Sequence, residues 1–126
     1  MNILITGALG HIGSKLITHL AKNKKINDIF LIDNLSTNKN SSLFFLKRKY
    51  NFLDIDLRDS TKALVQYVKK SDIIIHLAAL TNAENSLNKK KKFIEHNVKC
   101  SDNIFNLANK YKKKIVFISS TSVYGS

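Results

Sequence analysis

Proline and tryptophan are absent from this 126-residue sequence, and cysteine and methionine occur once each. Its apolar runs are short, and none approaches the roughly 18 residues that a membrane-spanning helix needs. The apolar segment Ile3 to Ile5 is followed at once by Thr6 and Gly7, without the basic leader of a secretory signal. Neither membrane insertion nor secretion is expected.

The single cysteine, Cys100, cannot form an internal disulfide bond. It lies in a stretch whose apolar residues have helical spacing, which favours a buried structural thiol. A reducing compartment suits such a chain, and we expect a cytoplasmic location.

Acidic residues are also scarce: nine Asp and Glu face 21 Lys and Arg, and the formal net charge is +12. Such a charge can indicate a nucleic-acid or membrane partner. Only two of the basic residues are arginines, however, and arginine is the side chain favoured in phosphate and base recognition. The lysine-rich runs 22–25, 89–92 and 112–114 lie near the ends of predicted helices, where they face water or the helix dipole. We expect no nucleic acid and no membrane as partner, and a basic nucleic-acid-binding domain stays an alternative that rests on charge alone.

Short apolar runs alternate with stretches of helical spacing along the chain. Strands are predicted at 2–6, 29–32, 51–55, 73–75 and 115–118, and helices after Gly13, after the capping pair Asp59 and Ser60, and over 93–111. Strands that alternate with helices predict a parallel sheet. At this length, and with 44% hydrophobic residues, we expect one α/β domain over 1–126, a doubly wound parallel sheet of about five strands.

A glycine-rich loop, Gly7 to Gly13, separates the first strand from the first helix. In such a unit Gly7 permits a tight turn, Gly10 lets the backbone approach a pyrophosphate, and Gly13 lets the helix pack close to the sheet. The helix N-terminus then offers N–H groups and a positive dipole end to the phosphates. The pattern alone is weak, because glycine turns also occur for structural reasons, but the strand and helix on its two sides favour a dinucleotide.

Asp33 ends the second strand, 20 residues after Gly13. A carboxylate at that distance accepts hydrogen bonds from the adenosine ribose hydroxyls and repels a 2′-phosphate. By itself Asp33 also suits a turn or a helix cap. Together with the glycine loop it predicts NAD as the cofactor, in preference to NADP.

These features resemble the short-chain dehydrogenase/reductase superfamily, whose loop shows the spacing G-x-x-G-x-x-G. Further motifs are similar to its extended branch, the NAD-dependent nucleotide-sugar epimerases and dehydratases, and occur in that family's order. They are Leu31 to Thr37, Asp56 to Asp59, His76 to Ala79 and Ser119 to Gly125. The resemblance spans the whole chain. It implies a Rossmann-like fold that binds NAD, a nucleotide-sugar as the substrate of a full-length relative, and compatibility with a homodimer.

The resemblance also implies which residues contact the cofactor. Asp56 would approach the adenine amino group, Ala78 and Ala79 would let the chain pass beneath the cofactor, and Asn97 would reach a loop or the nicotinamide ribose. The two alanines equally suit ordinary packing, and Asn97 an exposed helix position. His11 replaces an aromatic residue common there, so its backbone N–H is the contact retained. The implied set is Gly7, Gly10, His11, Ile12, Gly13, Asp33, Asn34, Ser36, Asp56, Leu57, Leu77, Ala78, Ala79, Thr81 and Asn97.

The four histidines show no spacing that suggests a metal site or a nucleophile–base couple, and we expect no metal. In the family, hydride transfer is assisted by a Ser or Thr, matched here by Thr121, and by a tyrosine acidified by a lysine four residues later. None of the four tyrosines of this chain has that lysine. The chain alone is therefore expected to be inactive.

Two interpretations of this sequence stay open. It is either the N-terminal portion of an epimerase or dehydratase, truncated before the substrate-binding part, or a complete small protein that binds NAD without catalysis. We favour the first, because the sequence ends just after a catalytic motif that serves no purpose alone.

Overall fold

The alternating apolar and amphipathic segments form strands and helices in the predicted order. A computed structural model describes residues 1–34, 49–78 and 87–118 of the chain. The elements are β1 Ile3–Thr6, α1 His11–Leu20, β2 Ile29–Asp33, β3 Asn51–Asp54, α2 Lys62–Lys70, β4 Ile73–His76, α3 Leu87–Lys110 and β5 Lys114–Phe117.

The five strands form one parallel sheet in the order β3-β2-β1-β4-β5, which confirms the predicted doubly wound α/β architecture. Ile3 of β1 is in register with Ile29 of β2 on one side and with Ile73 of β4 on the other. The chain runs outward from β1 to β3 and then returns to the other side of β1. The topological switch therefore lies between β1 and β4, and ligands of such sheets bind beyond the carboxyl ends of these strands.

Strand residues alternate between two cores, as expected for a sheet that is covered on both faces. On one face the strands pack with the buried side chains of α2 and α3, including Leu64, Val68 and Ile104. On the other face they pack with α1, whose Ile17 is buried. The strand residues of the first core are Leu4, Phe30, Ile32 and Ile74, and those of the second are Ile3, Ile5, Ile29 and Leu31.

Two predicted helix starts were wrong. The N-cap of α2 is Thr61, whose hydroxyl accepts the N–H of Leu64 at 3.1 Å, whereas Asp59 and Ser60 are used in the turn before it. Helix α3 begins at Leu87, six residues before the predicted start at Phe93. The lysine-rich run 89–92 has no apolar periodicity, so the sequence pattern did not indicate the first turns of α3.

Part of the sequence-based prediction concerns residues outside the described ranges. Residues 34–42, which are rich in Asn, Ser and Thr, predict a loop, and residues 43–47 predict a weak helical stretch. Apart from Asn34, both lie outside the described ranges. None of the helices in the described ranges combines the length and apolar character needed to cross a bilayer.

Candidate functional site

Gly7 begins the turn that follows β1. Its φ is +68°, in the left-handed region that side chains other than glycine rarely adopt. A Cβ at this position would lie 2.6 Å from the amide nitrogen of Ala78 and 2.7 Å from the carbonyl carbon of Leu77. The turn thus lies directly against the backbone that leaves β4, and only glycine fits there.

Gly13 lies in the first turn of α1. A Cβ on Gly13 would be 2.5 Å from the carbonyl oxygens of both Gly7 and Ala8. Because these are backbone atoms, no side-chain rotation can make room for it. The absence of a side chain at this position lets α1 start directly on the turn.

Gly10, between them, has a different environment. Its φ of −69° and ψ of 175° suit any residue. Among the residues that the structure describes, a Cβ would meet only the Gly7 carbonyl oxygen, at an ordinary contact distance of 3.4 Å. Gly10 is also the N-cap of α1, and with no side chain it leaves the first amides of the helix to other partners. Neither the backbone conformation nor the packing of the described ranges explains a glycine here, whereas a phosphate group that approaches the backbone closely would explain it.

Asp33, at the end of β2, contacts the glycine turn from the β2 side. Its carboxylate Oδ2 accepts the N–H of Leu9 at 2.9 Å, and the Ala8 N–H donates to the carbonyl of Ile32 at 3.2 Å. The end of β2 therefore holds the middle of the glycine turn. The Asp33 carboxylate, which the sequence analysis predicts to bind the ribose, thus also holds the glycine turn in its conformation.

A buried hydrogen-bond chain links β1, β4 and α3. The Ala78 N–H donates to Thr6 Oγ1 at 3.3 Å, Thr6 Oγ1 lies 2.7 Å from His76 Nδ1, and His76 Nε2 lies 3.1 Å from Ser101 Oγ. Thr6 Oγ1 accepts the Ala78 N–H, and a hydroxyl can in addition donate to or accept from Nδ1, so the tautomer of His76 sets the direction of both ring hydrogen bonds. The chain joins the exit of β4 to the strand that carries the turn.

Burial keeps His76 neutral. The residue is 2% exposed, and its ring stacks on Phe117 and meets Phe105 edge-on. Desolvation lowers the pKa of His76 from 6.5 to about 4. His76 thus acts as a structural link between β1 and α3.

This burial predicts an acid-sensitive stability. The unfolded chain binds a proton at His76 near pH 6.5 and the folded chain only near pH 4, so stability is full above 6.5 and falls as the pH decreases toward 4. We expect His76 to lower the free energy of unfolding by about 3 kcal/mol between pH 7 and pH 4. Urea unfolding followed by circular dichroism across this range measures it.

The His76→Asn variant provides the comparison for this prediction. Asparagine retains a hydrogen-bond acceptor near Thr6 but does not titrate, so the loss between pH 6.5 and 4 should become much smaller. The exposed His19, replaced by glutamine, is the control for the removal of a histidine. An equal acid-induced loss in His76→Asn and wild type would contradict the assignment to His76.

Asp56 lies just after β3 and is held by Arg58. The Asp56 carboxylate accepts both the backbone N–H and the Nε of Arg58, each at 3.0 Å, and also pairs with Nη2. These hydrogen bonds lower the pKa of Asp56 from 3.8 to about 2. The side chain is therefore an anion at neutral pH, partly open to solvent at the carboxyl edge of the sheet.

Asn103 of α3 holds the backbone near Asp56. Its Nδ2 donates to the Leu57 carbonyl at 2.6 Å, and its Oδ1 accepts the hydroxyl of Ser60 at 2.6 Å. The Leu57 side chain is buried in the core on the α2 and α3 face. Leu57 can therefore reach a ligand only through its backbone.

The predicted buried thiol is confirmed. Cys100 is 3% exposed on α3, and burial raises the pKa of its thiol to about 11. It is a free cysteine that is protonated at neutral pH, which does not suit a nucleophile.

Comparison with known proteins bears out the resemblance on which these assignments rest. Residues 3–126 match the NAD dependent epimerase/dehydratase family. The chain belongs to this family.

Relatives with different reactions match the same part of the chain. A dTDP-D-glucose 4,6-dehydratase of Dictyostelium discoideum is 36% identical over 98% of the chain, and a UDP-N-acetyl-alpha-D-glucosaminuronate decarboxylase of Bacillus cytotoxicus is 32% identical over 97%. A Bacillus cereus UDP-glucuronic acid 4-epimerase variant, solved with UDP-4-deoxy-4-fluoro-glucuronic acid and NAD, is 28% identical over all of the chain with a TM-score of 0.86. The chain spans only 30%, 37% and 42% of the length of these three proteins.

Within this epimerase/dehydratase fold, most of the predicted cofactor residues lie along the carboxyl edge of the sheet. The turn and the start of α1 lie against the ends of β2 and β4, while Asn97 is half-buried on α3. The predicted catalytic Thr121 and three predicted cofactor residues lie outside the described ranges. These three are Ser36, Ala79 and Thr81.

Three residues that hold this family member's site together were missed by the sequence analysis. Thr6 and Ser101 complete the chain through His76, and Asn103 holds the segment after β3. Each bonds a partner between 25 and 70 positions away, so no local spacing indicates it. A signal was available for Thr6 alone, because it is a polar residue at the end of an otherwise apolar strand.

Proposed function

We propose that this chain binds NAD over the glycine turn at the carboxyl ends of β1 and β4. The observation that carries the proposal is the space that the described residues leave open at Gly10, next to the N-terminus of α1, where a pyrophosphate can come close to the backbone. The backbone conformation and close packing of the turn explain why positions 7 and 13 are glycines. They do not explain the glycine at position 10.

Each part of the dinucleotide has residues that suit it. The backbone of Gly10, His11 and Ile12 would hold the pyrophosphate, Asp33 the adenosine ribose, and Asp56 with the backbone of Leu57 the adenine. The remaining residues proposed for contact along the cofactor are Gly7, Gly13, Asn34, Ser36, Leu77, Ala78, Ala79, Thr81 and Asn97.

For the reaction, we propose that the chain supplies the dinucleotide-binding part of a nucleotide-sugar epimerase or dehydratase activity. NAD, when bound, accepts a hydride from a sugar carbon and returns it within the catalytic cycle. Thr121 would donate or accept a hydrogen bond at the sugar hydroxyl. The dehydratase and decarboxylase relatives both match nearly the whole of this chain. Similarity to them therefore does not indicate which of the two reactions the chain takes part in.

Replacing Asp33 with asparagine tests the cofactor assignment. Asparagine keeps an oxygen for the Leu9 N–H but removes the charge that binds the ribose diol and repels a 2′-phosphate. We expect NAD⁺ affinity to fall about tenfold and the preference for NAD⁺ over NADP⁺ to decrease in the variant. Calorimetric titration of both cofactors at matched salt measures both effects.

Asp28→Asn is the matched control, because Asp28 is exposed at the amino end of β2 and the change in net charge is the same. Its titrations should match those of the wild type. Equal affinity of the wild-type chain for NAD⁺ and NADP⁺ would contradict the proposed role of Asp33. No response to either cofactor would contradict the proposed function itself.

A further inference from the structure

Three side chains with different ligand atoms meet beside the segment after β3. Asp56 comes from that segment, and His96 and Cys100 lie four residues apart on α3. One carboxylate oxygen, one imidazole nitrogen and the thiol sulfur all lie within 4.8 Å of one another. Cys100 is buried, and the other two residues are half-buried, so the cluster is accessible from the side of Asp56.

The chemistry of this cluster selects a class of metal ion. Zinc binds Cys, His and Asp at about 2.0–2.3 Å, which places tetrahedral ligand atoms roughly 3–4 Å apart. Since the ligand atoms are at most 4.8 Å apart, the three side chains need to close by no more than about 1–2 Å, which rotations of the half-buried Asp56 and His96 can supply. A thiolate and an imidazole favour zinc-like ions over Ca²⁺ or Mg²⁺, which prefer all-oxygen sites.

Arg58 is the group that competes with a metal for Asp56. It pairs with the carboxylate, but the side chains of Arg58 and Asp56 are 45% and 28% exposed. Exposed ion pairs of this kind are weak. The guanidinium can therefore move into solvent and leave the carboxylate to a cation.

We infer that Asp56, His96 and Cys100 form a Zn²⁺ site with three protein ligands and one open position. The spacing of the histidines did not indicate it, because the site has a single histidine and its carboxylate lies 40 residues earlier in the chain. The site shares Asp56 with the proposed adenine contacts, but metal binding does not depend on NAD. A titration without NAD therefore tests this inference separately from the proposed function.

Cobalt is the probe, since Co²⁺ replaces Zn²⁺ in such sites and its thiolate complexes absorb in the near ultraviolet. The full chain, freed of metal with a chelator, is titrated with Co²⁺. We expect a sulfur-to-cobalt charge-transfer band that saturates at one ion per chain and disappears when Zn²⁺ is added. Absence of this band at saturating Co²⁺ would overturn the inference.

Variants assign the ligands. Cys100→Ser should abolish the band, and His96→Gln should weaken Co²⁺ binding about tenfold or more while keeping the thiol. The exposed His19, replaced by glutamine, is the matched control and should bind as the wild type does. If Cys100→Ser does not fold, His96→Gln decides, because unchanged affinity in that variant would exclude the site.

Arg58→Gln tests the competition at Asp56. Removal of the guanidinium frees the carboxylate and reduces local positive charge, so Co²⁺ should bind several-fold more tightly. Unchanged or weaker binding in this variant would overturn the role given to Asp56.

Discussion

Alanine at position 10 is expected to weaken NAD binding by the chain about tenfold or more while leaving the fold intact. The added methyl group would occupy the space over Gly10 into which the proposed pyrophosphate fits. Within the described part of the chain this methyl group meets only the Gly7 carbonyl oxygen, at 3.4 Å. The loss should therefore appear in binding and not in stability.

The stability of Gly10→Ala provides the control. We expect the free energy of unfolding to change by no more than about 1 kcal/mol, because reduced freedom of the unfolded chain opposes the poor capping by alanine. Urea unfolding and NAD⁺ calorimetry on the same preparation separate the two effects. Wild-type NAD⁺ affinity in a folded Gly10→Ala variant would refute the proposed position of the pyrophosphate.

Alanine at position 13 should have the opposite profile and destabilise the fold strongly. Helix propensity alone predicts a gain of about 1 kcal/mol from Gly to Ala inside a helix. In this fold the new Cβ would lie 2.5 Å from two backbone oxygens, so α1 must move away from the turn. We expect a net loss of about 3 kcal/mol, in the range of severe overpacking.

Gly7→Ala should behave in the same way, because it combines a positive φ with a Cβ only 2.6 Å from the Ala78 amide nitrogen. Urea midpoints of the three alanine variants give the comparison. A Gly13→Ala variant as stable as the wild type would show that the helix and turn are not packed as described.

The three glycines show how much of the site could be predicted from the sequence. The pattern located the turn between β1 and α1, because backbone freedom and close approach both require glycine at short range. It did not distinguish Gly10, which the fold leaves open, from Gly7 and Gly13, which neighbouring backbone atoms enclose. Gly7 is enclosed by Leu77 and Ala78, some 70 residues later in the chain, whereas Gly13 is enclosed by the carbonyl groups of Gly7 and Ala8 in the folded turn.

Asp33 shows a second difference between the role that the sequence predicts and the contact that the fold contains. Its distance from the loop predicted a ribose contact, and this role stays a proposal. The hydrogen bond from the Leu9 N–H, by which Asp33 also supports the turn, was not predicted. The sequence does not indicate this hydrogen bond, because it forms only when the end of β2 packs against the turn.

The helix starts show where local signals compete. Asp59, Ser60 and Thr61 are all good N-cap residues, and local sequence does not distinguish among them. In the structure the Ser60 hydroxyl donates to Asn103 on α3, and Thr61 is the residue that caps the helix. Tertiary contacts thus set the boundary, while the amphipathic pattern had already located the helix.

The sequence by itself determined the fold class, the order of strands and helices, the family and the place of the glycine loop. It could do so because periodicity and backbone freedom are local properties, and because five family motifs occur in order. The tertiary structure decided what each loop residue does. It enclosed Gly7 and Gly13 and left Gly10 open, buried His76 between Thr6 and Ser101, and brought Cys100 and His96 to Asp56. Most of these relations join residues that are far apart in the chain, such as Thr6 with His76, and only packing brings such residues together.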